Sequence, residues 1–142
     1  MKILIIGQAP AAVSQTYPYD TTMLYTWLEE VGINKEDAQN IFDFDAVSNV
    51  FPGFSIGGHK PPTKEAMDKY FIESLGAKIY NTSKLIILGN VAKDYLTDRL
   101  DWGNIAADKK IIYLIHPSRR NLNLYNKNKD SIIQKLRSIV EY

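Results

Sequence analysis

The sequence predicts a three-layer α/β/α fold built on a central, mainly parallel four-stranded sheet. Short apolar runs recur along the chain, and amphipathic helical stretches separate them. Several of those runs end on Gly7, Gly89 or His116 rather than in a hairpin turn. Strands joined this way lie parallel and are covered on both faces, so they read as continuous apolar segments. At 142 residues, 45% of them apolar, the chain is expected to form one domain over 1–142.

The first strand is expected at residues 2–6, followed by a polar loop from Gly7 to Asp20. Thr21 or Thr22 caps a helix to about residue 31, with Met23, Leu24, Trp27, Leu28 and Val31 as its apolar stripe and Gly32 as its stop. Apolar and polar residues alternate over 41–50, which predicts a short strand at 46–50. Residues 51–62 hold three glycines and three prolines and read as a loop. A helix begins near Thr63, with Met67, Tyr70, Phe71, Leu75 and Ile79 along one face. Strands at 85–88 and 110–115, a short helix at 91–96 and an amphipathic helix at 126–140 complete the pattern. Ligands of such sheets bind beyond the carboxyl ends of the strands. Gly7, Asn49, Gly89 and His116 all fall there, in four separate loops.

Composition removes several function classes. With no cysteine there is no disulfide, thiolate zinc site or cysteine-held iron–sulfur cluster. His59 and His116 alone are too few for a histidine metal site, so neither metal nor cofactor is expected. No apolar run approaches the length of a membrane span, and no leader-like segment opens the chain. A cytoplasmic monomer without a membrane partner is the expectation. Charge is unevenly spread: residues 1–108 balance to −5, whereas 109–137 carry eight Lys/Arg against Asp130 alone, a balance of +7. That is either a solvated basic helix or a surface for phosphate backbone.

Two motifs carry the chemistry. Gly7-Gln8-Ala9-Pro10-Ala11 follows the first strand, and His116-Pro117-Ser118-Arg119-Arg120-Asn121 follows the last. The first lacks the further glycines of a dinucleotide fingerprint and the Gly-Lys-Ser/Thr of a phosphate loop. GQAPA resembles the first motif of uracil-DNA glycosylases, which varies as GQDPY, GEAPG, GLAPA or GMNPG, and HPSRRN resembles their second motif. Tyr17-Pro18-Tyr19, Val47-Ser48-Asn49-Val50, the prolines at 52, 61 and 62, and Leu88-Gly89-Asn90-Val91-Ala92 resemble further family segments in the right order. The likeness spans roughly the whole chain and is closest to the thermostable and single-strand-selective families.

The resemblance implies a DNA glycosylase that takes a damaged or modified base, such as uracil, out of single- or double-stranded DNA and into a pocket. By that likeness Tyr19 stacks on the base and Asn49 reads its edge, while backbone at Gly7, Gln8 and Ala9 lines the pocket. His116 stabilises negative charge on the base, and Ser118, Arg119, Arg120 and Asn121 hold DNA. Gln8 handles water, or Asp20 does so as the nearest carboxylate after the first motif, although its register does not match the GLAPA family's aspartate. Two departures matter. Ala9 replaces the aspartate that the best-known family uses to handle water, and Gln8 replaces the glutamate of the GEAPG family. A base- or DNA-binding module without useful catalysis is therefore the alternative, and a hydrolase of small nucleosides a third.

Overall fold

The computed structural model describes residues 2–9, 22–50, 52–55, 58–117 and 122–140. In chain order these residues form β1 (Ile3–Gly7), α1 (Thr22–Glu30), α2 (Lys35–Ile41) and β2 (Phe42–Ala46), then a short pair, β3 (Phe54–Ser55) and β4 (Gly58–His59). There follow α3 (Lys64–Tyr70), a π-helical turn (Phe71–Leu75), α4 (Gly76–Tyr80), β5 (Lys84–Leu88), α5 (Gly89–Thr97), α6 (Trp102–Ala106), β6 (Lys110–Leu114) and α7 (Leu122–Val140). Strands β2, β1, β5 and β6 pair in that order into one four-stranded, all-parallel sheet. Among the described residues no helix is long and apolar enough to cross a membrane.

Strand side chains alternate between faces, and this sorts the core into two layers. Ile3, Ile5, Ile86 and Leu88 pack with α1 and α7 through Leu24, Trp27, Leu28, Ile132, Leu136 and Ile139. Leu4, Ile6, Leu85 and Ile87 pack on the opposite face with α3 to α6 through Met67, Phe71, Leu75, Ile79, Leu96 and Ile105. The central strands are buried on both sides, which is why they read as unbroken apolar runs. Fully burying one such side chain is worth ~1.5–3 kcal/mol.

The second strand lies at Phe42–Ala46, four residues before the expected 46–50. It is an edge strand that truly alternates: Phe42 packs with α1 and α7, and Asp45 faces the α3–α4 layer. Asp45 is nonetheless buried, because the Tyr70 hydroxyl (2.6 Å) and Lys78 Nζ (2.7 Å) donate to its two oxygens. A buried carboxylate with partners 25 and 33 residues away looks like a loop residue in sequence. Helix α2 was also unexpected, because only Ala38 is buried and there is no apolar stripe to read. Its start is fixed instead by Asn34, whose side chain accepts from the Asp37 N–H at 2.8 Å.

The expected helix after Thr63 runs on to Tyr80, with the π-helical turn inside it. Gly76 makes this possible: a Cβ there would sit 2.9 Å from the Phe71 carbonyl oxygen. The turn sets the Phe71 ring under the Arg99 guanidinium, 3.6 Å from the ring centroid. Arg99 Nη1 in turn donates to the Tyr95 hydroxyl (3.2 Å), which itself donates to Asp68 Oδ1 (2.6 Å).

Burial first, and then the bond to Asp68, push the Tyr95 pKa from its usual 10.0 to about 12. Burial and the bond to Asp45 push Tyr70 upward as well. A phenol whose pKa is higher in the folded chain stabilises it fully below the unfolded value and loses that contribution as pH rises through the folded one. Stability measured by denaturant unfolding is therefore expected to fall between pH 10 and 12. Tyr95→Phe should make the fall shallower; an equally steep fall in that variant would contradict the assignment.

Candidate functional site

The sheet topology locates a crevice before any side chain is considered. From β1 the chain passes to β2 on one side through α1 and α2, whereas β5 and β6 lie on the other side of β1. The connections after β1 and β5 thus leave on opposite faces: α1 packs with Ile5, and α5 packs with Leu4 and Ile6 through Ala92 and Leu96. Adjacent strands whose helices part in this way open a cleft at their carboxyl ends. Gln8 and Ala9, both half-buried, follow β1 on one side of that cleft, and Gly89 follows β5 on the other.

Gly89 opens α5 with φ +82°, a left-handed conformation that disfavours any side chain. The space beside it is taken by His116. A Cβ built on Gly89 would lie 3.2 Å from His116 Cβ and 3.4 Å from its Cδ2. Since Leu88 and Leu114 pair in register, the two carboxyl ends are aligned and His116 is seated against the start of α5. That start has no side-chain cap, unlike α3, whose Thr63 Oγ1 accepts from the Ala66 N–H at 3.2 Å. The first N–H groups of α5 and the positive end of its dipole thus lie at the carboxyl edge of the sheet.

The loop after β2 joins the same edge. Gly7 stays in the strand, opposite Ala46, and its carbonyl accepts from the Val47 N–H at 3.0 Å. Ser48 is buried, and its hydroxyl accepts from the Val50 N–H at 3.2 Å, closing a tight turn. Asn49 stands between them, exposed, with the exposed Val50 beside it. Of the residues expected to form a site, Gly7, Gln8, Ala9, Asn49 and His116 thus occupy one edge of the sheet. Tyr19, Asp20, Ser118, Arg119, Arg120 and Asn121 lie outside the described residues.

Two residues had no assigned part in the sequence-based site. Gly89 was visible there only as a strand-to-helix turn, and nothing in the sequence signals that His116 packs on it. Ser48 shapes the Asn49 loop but reads as an ordinary loop serine.

The basic third of the chain is divided in space. Lys109 and Lys110 lie at the opening end of β6, the far edge from His116; Lys109 Nζ donates to the carbonyls of Tyr80 (3.3 Å) and Thr82 (2.7 Å), and Lys110 Nζ to that of Ser138. Lys129 pairs with Glu30 of α1 at 3.2 Å. These cations hold elements together, so the linear charge excess overstates what reaches the cleft.

Gly89→Ala is expected to cost about 1–2 kcal/mol from the left-handed backbone alone, with further loss from crowding His116. Denaturant unfolding measures the cost. The His116 ring resonances should shift in the same variant; unchanged resonances with unchanged stability would mean that the two residues do not touch.

Two comparisons with known proteins bear on this arrangement. No curated protein matches the chain. Residues 1–137, however, match the Uracil DNA glycosylase superfamily, a span that covers all four strands of the sheet and both motif loops. The chain therefore belongs to the uracil DNA glycosylase superfamily.

Proposed function

We propose that this protein is a DNA glycosylase that hydrolyses the N-glycosidic bond of uracil or a related damaged or modified base. The observation that carries the reading is the seating of His116 on Gly89 at the uncapped start of α5, across a cleft from Gln8 and Ala9. Within the superfamily, the motifs most resemble those of the thermostable and single-strand-selective families.

In this reaction the C1′–N bond breaks with both electrons passing to the base, leaving a sugar oxocarbenium ion and a base anion. Water then adds to C1′ and gives up a proton, and the base leaves protonated. Such an enzyme must hold the extruded base and stabilise its developing charge. His116, as a neutral imidazole, donates to the base oxygen where that charge collects. Backbone N–H groups of Gln8, Ala9 and the first turn of α5 add donors and a favourable dipole. Asn49 reads the base edge with its paired donor and acceptor, and Tyr19 stacks on the base face. Ser118, Arg119, Arg120 and Asn121 hold the DNA backbone.

Water handling is the weaker half of this machinery. Ala9 has no functional group, and Gln8 can hold a water molecule but is a poor base. Asp45, one residue before the end of β2, is committed to Tyr70 and Lys78. In the proposed mechanism Asp20 or Gln8 positions the water, and most of the acceleration comes from stabilising the departing anion. Ala9 and Gln8 also favour a second reading: a base- or DNA-binding module without useful catalysis.

Single-turnover excision on single- and double-stranded oligonucleotides carrying uracil, hydroxymethyluracil, hypoxanthine or xanthine separates the readings. His116→Ala is expected to slow excision by about a hundred- to thousandfold, or ~2.7–4 kcal/mol, with DNA binding nearly unchanged. Excision untouched by that change would remove His116 from the mechanism. Binding without excision of any of these bases would support the module instead.

A further inference from the structure

A second concave surface lies between the first turn of α3 and the length of α5, with a volume of about 890 Å³. Its apolar part is formed by Pro61, Met67, Val91 and Leu100, and Leu100 is fully exposed. Lining one groove together, these side chains form an apolar patch rather than a lone exposed leucine, and such patches rimmed by polar residues mark interaction sites. The floor is held by the chain of contacts Phe71–Arg99–Tyr95–Asp68 described above.

The electrostatics of the groove indicate what fits it. Arg99 is neutralised by Asp101 at 3.0 Å, and Lys64 is the other cation of a lining that also carries four aspartates. Of these, Asp94 in the last turn of α5 and Asp98 at its C-cap stand exposed, one helical turn apart. Two like charges at that spacing repel, and both sit at the negative end of the helix dipole, where acids are unfavourable. No basic residue occupies the last turn of α5 to offset them. The helix thus carries an arrangement that opposes its own stability and leaves two carboxylates facing the groove.

We propose that this groove docks a basic amphipathic segment of a partner protein. Two cations of the segment pair with Asp94 and Asp98, and an apolar side chain covers Leu100 and Met67. A nucleic acid is the wrong occupant, because its phosphates would meet these carboxylates. The proposal does not depend on the glycosylase reading, since it uses none of the residues of the cleft.

The test is fluorescence anisotropy with a short labelled peptide in which lysines flank two leucines. The same peptide with glutamates for lysines and a single-stranded oligonucleotide serve as comparison probes. The lysine peptide should bind the wild-type chain, weaken with salt, and lose about five- to tenfold in affinity in the double variant Asp94→Asn, Asp98→Asn. Melting temperature should hold or rise in that variant, because a repulsion at the helix end is removed. Leu100→Ser, at a fully exposed position, should also weaken binding without unfolding the chain. Amide shifts on peptide addition should map to Met67, Val91 and Leu100. Absence of lysine-peptide binding, affinity indifferent to these substitutions, or shifts centred elsewhere would overturn the proposal. So would an oligonucleotide that occupies the groove, or self-association of the chain abolished by Leu100→Ser.

Discussion

Between the carboxyl ends of β5 and β6 a side chain on the first residue of α5 would crowd His116. His116 fills that space, and only a glycine with left-handed backbone lets α5 begin where it does. The parallel register, which pairs Leu88 with Leu114, brings the two ends level. This contact fixes His116 at the edge of the sheet where β1 also ends, because β5 pairs with β1 and aligns Ile87 with Ile6. Without it, a histidine two residues beyond a strand would have many directions in which to point.

The layers on either side hold that edge in place by different means. On one face α1 and α7, the helices that follow the two motif loops, are joined by the stacked rings of Trp27 and Tyr125, 5.2 Å apart and 14° from parallel. The Glu30–Lys129 pair adds a solvent-screened contact one turn further along. Among the described residues the buried Trp27 Nε1 and Tyr125 hydroxyl have no hydrogen-bond partner, and a group left so costs ~1–3 kcal/mol. Apolar burial around both rings offsets that cost. On the other face the links are polar: Asp45 to Tyr70 and Lys78, and Asp68 to Tyr95 and Arg99. The stacked pair thus ties α1 to α7, while the opposite layer builds the acidic groove between α3 and α5.

Much of this was legible in the sequence because the central strands are buried on both faces. Residues 3–6 and 85–88 read as unbroken apolar runs, and the glycines after them marked where the strands end, Gly7 as the last residue of β1 and Gly89 as the first of α5. What the sequence concealed depends on partners far away in the chain. The alternation around Phe42–Ala46 was placed four residues too late because Asp43 and Asp45 look like surface residues, and only Tyr70 and Lys78 explain a buried Asp45. Helix α2 escaped notice because its cap, not an apolar stripe, defines it. The alignment of Gly7, Gln8, Ala9, Asn49 and His116 along one edge followed from strand order, whereas the packing of His116 on Gly89 needed coordinates. Local charge counts could not show that Lys109 and Lys110 lie at the opening end of β6, the far end from His116.

The central claim is that loops from four strands form one base-binding cleft at the carboxyl edge of the sheet. Titrating free uracil into isotope-labelled protein and following its amide resonances tests this most directly, because it requires neither DNA nor turnover. The account predicts that Gln8, Ala9, Asn49, Gly89 and His116 shift together along a single binding curve. Shifts confined to the groove between α3 and α5, shifts at the opposite edge near Lys84 and Lys110, or no shift at millimolar uracil would contradict it.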